Sequence, residues 1–324
     1  MQVRYRSWIS PMMRTSHKTG VSLSFVCLVI LGILPIISNS RSPGFDALSF
    51  AFFLSLWQLV FSLPLVLREL ASSDKGIFAA ELAPNLQRRT IMIILATGMI
   101  FGLSTYAYVL AMEKAGAISA AIAIQAYPLF AILWETLLLK RRKSPLELLF
   151  TAMLILSLYY LGTNGTWRIE GLSYWFLMAL SIPFLWSVAH VIIKEVLDRT
   201  PISPAQVTFF RVLVSSIFLG AVLLMMSGPS AALADFLKPG FQMFAMLMGF
   251  AYYMELIMWF YAVRHIDVSL ASSITIPWPA LTMVLAVLFL GRTIEVYQII
   301  AFAIVAASIY GLLFAGKMKR QHSV

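Results

Sequence analysis

Long apolar runs, separated by short polar segments, repeat along the whole chain. A helix needs about twenty predominantly apolar residues to cross a hydrocarbon core of about 30 Å. Runs of roughly this length cover residues 21–38, 47–67, 91–112, 117–139, 145–161, 172–193, 205–226, 241–263, 268–290 and 296–314. The runs are continuously apolar and lack the alternation of barrel strands. The pattern predicts an all-α integral membrane protein with ten transmembrane helices.

Composition and charge support this interpretation and add an orientation. Apolar residues make up 60% of the chain, whereas soluble domains contain about 45–50%. The net charge of +10 does not indicate nucleic-acid binding, because the basic residues lie in short clusters between apolar runs. About eighteen of the 24 Lys and Arg residues fall on the side that would hold both termini. We therefore expect lipid as a partner and cytoplasmic termini, in a membrane that the short loops suggest is a bacterial inner membrane.

Metal and cofactor chemistry has little support in the sequence. Cys27 is the only cysteine, which excludes an intramolecular disulfide and a multi-cysteine metal site. His190 and His265 lie near predicted cytoplasmic ends without acidic neighbours at a ligand-like spacing. A Walker phosphate loop is also missing from the sequence. We expect no cofactor, no metal and no hydrolysis of ATP by this chain.

An internal repeat appears when the chain is shifted against itself by about 151 positions. Identities then run without a gap through two consecutive spans, and they pair Ala111 with Ala262, Pro128 with Pro279, Ser157 with Ser308 and Tyr159 with Tyr310. The repeat predicts five spans in residues 21–161 and five in 172–314, between tails 1–20 and 315–324. Because five is odd, the second copy would cross the membrane in the opposite sense. Two inverted five-helix repeats are typical of secondary transporters.

The repeated segments also resemble a known family. The first reads Ala115-Gly116-Ala117-Ile118-Ser119-Ala120-Ala121 and leads into Tyr127-Pro128-Leu129-Phe130, and its echo runs from 268 to 273 and leads into Trp278-Pro279-Ala280-Leu281. The second half begins with Leu185-Trp186-Ser187, followed by Lys194 and Phe210-Arg211. In this order and duplication the chain resembles the drug/metabolite transporter superfamily, EamA-type permeases.

The resemblance implies a ten-helix inverted-repeat fold that exports amino acids, nucleotide-like compounds or other small solutes. It also implies a central cavity between spans one, three, four, six, eight and nine. Two features depart from the family pattern. The first span has no Trp matching Trp186, and the fourth and ninth spans end without the acidic residue that many members carry.

Ionisable residues inside spans are the first candidates for function, because a charge near the bilayer centre costs about 3 kcal/mol or more unless it is paired or hydrated. Arg211 and Glu255 are predicted at similar depth and could form an ion pair. One of them would bind a charged part of the substrate, or Glu255 would take up a coupling proton. The alternative is a purely structural pair. Glu135 is a third candidate, although it lies close to Lys140 and could turn toward the cytoplasm.

The mid-span prolines are the second candidates, because each removes a backbone donor and frees a carbonyl. Helix breaks at matching positions of two halves are the best sequence pointer to a transporter site, although a kink could also serve packing alone. The residues predicted to bind substrate or mediate coupling are Gln125, Tyr127, Pro128, Arg211, Glu255, Thr275, Trp278 and Pro279, with Glu135, Tyr108 and Trp259 as weaker candidates.

Two other classes of protein are alternatives to a carrier. A membrane-embedded enzyme needs a cluster of catalytic groups, and the sequence offers none, so we do not expect an enzyme. A passive channel is harder to exclude, because carbonyls at broken helices could provide selectivity. The favoured prediction is a secondary transporter, an exporter of a small metabolite such as an amino acid, with protons as a candidate coupling ion.

Overall fold

The computed structural model describes residues 17–41, 44–72, 76–78, 83–130, 133–134, 144–266, 271 and 274–321. Within these ranges the bounded helices are α1 His17–Ser40, α2 Ala47–Ala71, α3 Pro84–Lys114, α4 Ala117–Ile124, α5 Pro145–Gly162, α6 Tyr174–Arg199, α7 Pro204–Phe236, α8 Pro239–His265, α9 Trp278–Leu290 and α10 Val296–Gln321. Seven helices in the described part of the chain are long and apolar enough to cross a membrane, and shorter apolar helices accompany them. The protein is therefore an all-helical, multi-pass membrane protein.

Local sequence explains where several helices begin. Ser144 and Ser203 cap α5 and α7 through their hydroxyls, and Glu147 and Gln206 return a hydrogen bond to the capping residue's backbone N–H. Each of these capping boxes satisfies backbone donors that a helix start leaves without partners. Pro145 and Pro204 follow the caps directly, where the missing N–H costs nothing. The local sequence thus determines where these two helices start.

Two of the predicted spans are interrupted, as their mid-span prolines predict. The spans 117–139 and 268–290 are not continuous helices: α4 ends at Ile124, and α9 begins only at Trp278. The span 205–226 is followed by a kink at Gly228 (φ 77°), after which the helix continues to Phe236. Glycine adopts such a positive φ without steric cost, so the second segment of α7 can leave the direction of the first.

The helices pack in matching pairs. α1 packs on α8 and α6 packs on α3; α2 packs on α8 and α7 packs on α3; in addition α2 packs on α7, and α5 packs on α10. Exchanging α1, α2, α3 and α5 with α6, α7, α8 and α10 turns the first pairing into the second and the third into the fourth, and it leaves the pairings α2–α7 and α5–α10 unchanged. The internal repeat seen in the sequence is therefore also present in the helix contacts.

The second helices of the two halves, α2 and α7, run antiparallel. The Ser49 hydroxyl, at the start of α2, donates to Asp235 near the end of α7 at 2.7 Å. The Ser203 hydroxyl, which caps the start of α7, donates to Glu69 near the end of α2 at 2.6 Å. At both ends of this helix pair, the start of one helix therefore lies beside the end of the other.

Glycines permit the closest helix contacts. A Cβ at Gly249 of α8 would lie 2.6 Å from the Leu54 carbonyl oxygen of α2, and a Cβ at Gly98 of α3 would lie 2.5 Å from Val214 Cβ of α7. The two glycines are separated by the repeat offset of about 151 positions. Small residues let membrane helices approach closely, and such packing largely replaces the hydrophobic effect inside lipid.

We predict that Gly249→Ala destabilises the protein by about 1–3 kcal/mol, because the added methyl must separate α2 from α8 or strain them. The measurement is the apparent melting temperature of the purified protein in detergent. Gly240→Ala is the matched control, because a Cβ at Gly240, in the first turn of the same helix, meets no atom within 4 Å. Equal melting temperatures of the two variants would contradict the role of this contact.

Candidate functional site

Two helix breaks lie at positions related by the repeat. Residues 125–126 separate α4 from the helical residues 127–130, and residues 276–277 separate helical residues 274–275 from α9. Pro128 and Pro279 each stand second in the segment that follows. A proline cannot donate to the carbonyl four residues earlier, and α4 ends at Ile124, four residues before Pro128. The proline positions therefore account for where the helices stop.

A hydrogen bond joins the two breaks directly. The Gln125 side-chain amide donates from Nε2 to the Ile276 carbonyl at 2.8 Å. That carbonyl is released by the break, because the backbone N–H of Ala280 bonds to Pro277 instead. The bonded residues are themselves separated by 151 positions. The two breaks thus meet where an element of the first half faces its counterpart in the second.

An aromatic and basic cluster lies next to the first break. The Tyr127 hydroxyl is 3.3 Å from His190 Nδ1 of α6. The His190 ring packs against Phe101 of α3, with centroids 5.5 Å apart. The Arg211 guanidinium of α7 lies over the same Phe101 ring, with its Cζ 3.7 Å from the ring centroid. Four elements therefore contribute one side chain each to a continuous cluster.

The polar side chains of this cluster keep accessible surface. His190 is exposed even though it contacts both Tyr127 and Phe101, and Tyr127 and Arg211 are half-buried. Arg211 also lines a small cavity between α3, α6 and α7.

A second cluster contains the acidic candidate. Glu255 of α8 lies within electrostatic range of Tyr108, Tyr252 and Cys27. The Tyr108 and Tyr252 rings meet edge-on at 5.5 Å, and the Cys27 thiol of α1 donates to the Glu255 backbone carbonyl at 3.7 Å. Glu255 therefore lies among α1, α3 and α8.

Arg211 and Glu255, which the sequence indicated could pair, form no salt bridge in the part of the chain that the structure describes. The two groups lie within electrostatic range of each other. Arg211 is stacked on Phe101, whose aromatic face attracts the cation.

The other predicted residues divide between the two breaks. At the second break Thr275, Trp278 and Pro279 are buried, whereas at the first break Gln125, Tyr127 and Pro128 are half-buried. Glu135 lies outside the described residues, as do Lys140 to Lys143 and 267–270. Tyr108 is buried at 3% exposure, and Trp259 is half-buried one helical turn beyond Glu255.

Sequence reasoning missed two residues of the site. His190 was set aside as a residue near a cytoplasmic end, and Phe101 was not singled out. Both carried a signal: His190 lies four residues after Trp186, on the same helix face, and Phe101 matches Tyr252 at the repeat offset. The Trp186 indole donates to the Ser104 hydroxyl at 3.0 Å, which shows that this face of α6 points toward α3.

Comparison with known proteins assigns this arrangement to a family. Residues 18–163 and 173–314 each match the model of the EamA-like transporter family. The chain belongs to this family. The resemblance drawn from the repeated motifs is thereby confirmed, and the two matched regions are two EamA repeats in one chain. No curated protein matches it.

Solved structures support the same fold. Matches extend to 27 chains. One crystal structure aligns with a TM-score of 0.60 over 92% of this chain and 98% of its own, at 15% sequence identity. At this identity the likeness shows the fold alone. The EamA family is one of transporters, so the accessible clusters beside the helix breaks are the candidate transport site.

The bond between the breaks makes a testable contribution to stability. We expect Gln125→Met, which keeps the side-chain length but removes the donor, to cost about 1–3 kcal/mol, because the Ile276 carbonyl would remain buried without its partner. Thermal unfolding in detergent measures the effect. Gln87→Met, at an exposed position of α3, is the control, and an equal effect at both positions would contradict the prediction.

Proposed function

We propose that the chain is a secondary transporter that exports a small metabolite, such as an amino acid or a related solute, by alternating access. The observation that supports this most strongly is the pair of helix breaks bridged by Gln125 and Ile276. In transporters of inverted-repeat design, substrate binds at such discontinuous helices, where backbone groups lose their helical partners. The Arg211 and Glu255 clusters add ionisable groups beside the breaks.

Alternating access requires two halves that can move against each other. The antiparallel contact between α2 and α7 supports an inverted relation between the halves, and the matched pairing of the other helices supports a two-fold design. We propose ten spans, with each broken helix forming one of them. The bias of Lys and Arg supports cytoplasmic termini in a bacterial inner membrane.

Glu255 is the proposed proton-coupling residue. It lies inside α8 among Tyr108, Tyr252 and Cys27, and Arg211 does not neutralise it by direct pairing. An ionised carboxylate inside the membrane is costly, so uptake and release of a proton can be coupled to the state of the site. Substrate export would then be driven by proton entry.

Counterflow in proteoliposomes tests the carrier mechanism. Vesicles preloaded with an unlabelled solute should transiently accumulate the same labelled solute, across a panel of amino acids and nucleotide-like compounds at two pH values. Saturable counterflow supports a carrier. Uptake without saturation, at the throughput of a channel, would contradict it and favour a passive facilitator.

The Glu255→Gln variant tests the coupling. We expect counterflow to continue but to lose its dependence on pH, because the amide cannot exchange a proton. Glu170→Gln is the control: Glu170 lies in an exposed short helix, Ile169–Gly171, and its variant should keep the pH profile of the original protein. If Glu255→Gln also keeps that profile, Glu255 is not the coupling residue.

A further inference from the structure

One face of the Arg211 guanidinium packs on an aromatic ring, and its N–H groups have no hydrogen-bond partner among the described residues. Its Cζ lies 3.7 Å from the Phe101 centroid, and Phe101 is itself only 2% exposed. Within the described residues no hydrogen bond or salt bridge engages the guanidinium. An arginine presents five N–H donors in a planar fork. Stacking on Phe101 fixes the plane of that fork and leaves its edge free for a ligand.

The space beside Arg211 is lined by branched aliphatic side chains. The cavity between α3, α6 and α7 is bounded, besides Arg211, by Ile93, Ile94, Thr97, Ile193 and Val207. The hydroxyl of Thr97 donates to the Ile93 carbonyl of its own helix at 2.7 Å. The walls of this cavity are therefore lined mainly by methyl groups, and Arg211 is its charged residue.

The surrounding charges restrict what Arg211 can bind. A planar guanidinium edge matches a carboxylate with two parallel hydrogen bonds. Glu255 lies within electrostatic range of Arg211 and opposes a ligand with a second negative charge. The apolar walls add no further cation. The combination fits a monoanion better than a dianion such as a phosphate monoester.

We propose that Arg211 forms an anion subsite for the carboxylate of a small organic monoanion, whose short branched aliphatic part contacts the side chains beside Arg211 on α3, α6 and α7. Phe101 is a positioning residue that holds the guanidinium in the required plane. This proposal rests on the proposed transport function and adds the chemical class of the solute.

The test is binding to the purified full-length protein in detergent, measured by titration calorimetry. The probes are 3-methylbutanoate, its neutral analogue 3-methylbutanamide and the cation 3-methylbutylammonium, which share one branched chain. We expect the carboxylate to bind at least about tenfold more tightly than the amide, because the amide offers one neutral acceptor oxygen where the carboxylate offers two charged ones. The Arg211→Gln variant should remove this preference.

Two variants of Phe101 test its positioning role. Phe101→Leu should weaken carboxylate binding by about tenfold, because the cation–π contact is lost, and Phe101→Tyr, which keeps the ring, should preserve it. Tyrosine stands at the matching position of the other half, Tyr252. The readout is the ratio of carboxylate to amide affinity, because general damage to the fold weakens both probes alike.

Several results would overturn the subsite. These are equal binding of carboxylate and amide, tighter binding of the ammonium, no carboxylate binding up to the solubility of the probe, or an unchanged preference in Arg211→Gln. The proposed transport function fails separately: a carboxylate preference without counterflow in proteoliposomes would leave the subsite standing and remove the carrier. Counterflow of amines alone would keep the carrier and remove the subsite.

Discussion

The structure depends on how backbone polar groups are satisfied where no water is available. In hydrocarbon every N–H and C=O must find a partner within the protein, and two prolines at matching positions make this impossible for a continuous helix. The Gln125 amide solves the problem at one break by binding the Ile276 carbonyl of the other. One side chain thus ties together the two places where the helices are interrupted, and it does so at the junction of the two repeats. The released carbonyl at the second break is satisfied because the first half supplies its donor.

Close packing complements this bond. Since lipid is as apolar as the helix surfaces, helices associate through contact and through hydrogen bonds. Gly98 and Gly249 bring α3 against α7 and α8 against α2, and Ser49 and Ser203 join the ends of α2 and α7. These contacts hold helices of the two halves in close pairs. The cavity beside Arg211 lies between α3, α6 and α7.

Much of this arrangement could be predicted from the sequence, for physical reasons. Apolar length defined the membrane helices, and a gapless repeat revealed the duplication, because both follow from the thickness of the membrane and the repetition of one unit. Pro128 and Pro279 located the breaks to within a turn. The contact between Arg211 and Phe101 was not predictable, because depth along two helices says nothing about which way each side chain turns. For the same reason His190 was assigned to a membrane boundary, although its ring faces Tyr127 and Phe101. Periodicity places residues along a helix, but only packing decides their partners.

The two halves share a framework but not their polar groups. At the repeat offset Glu255 matches Ser104, and Tyr252 matches Phe101. Trp186 of α6 donates to the Ser104 hydroxyl, whereas the Cys27 thiol of α1 donates to the Glu255 backbone carbonyl. The Ser104 hydroxyl thus has an indole partner, whereas the Glu255 carboxylate has no salt-bridge partner among the described residues. A symmetric design would place two carboxylates in the membrane and would incur their desolvation cost twice. Divergence after duplication instead leaves one carboxylate at this pair of positions, Glu255, matched by the neutral Ser104.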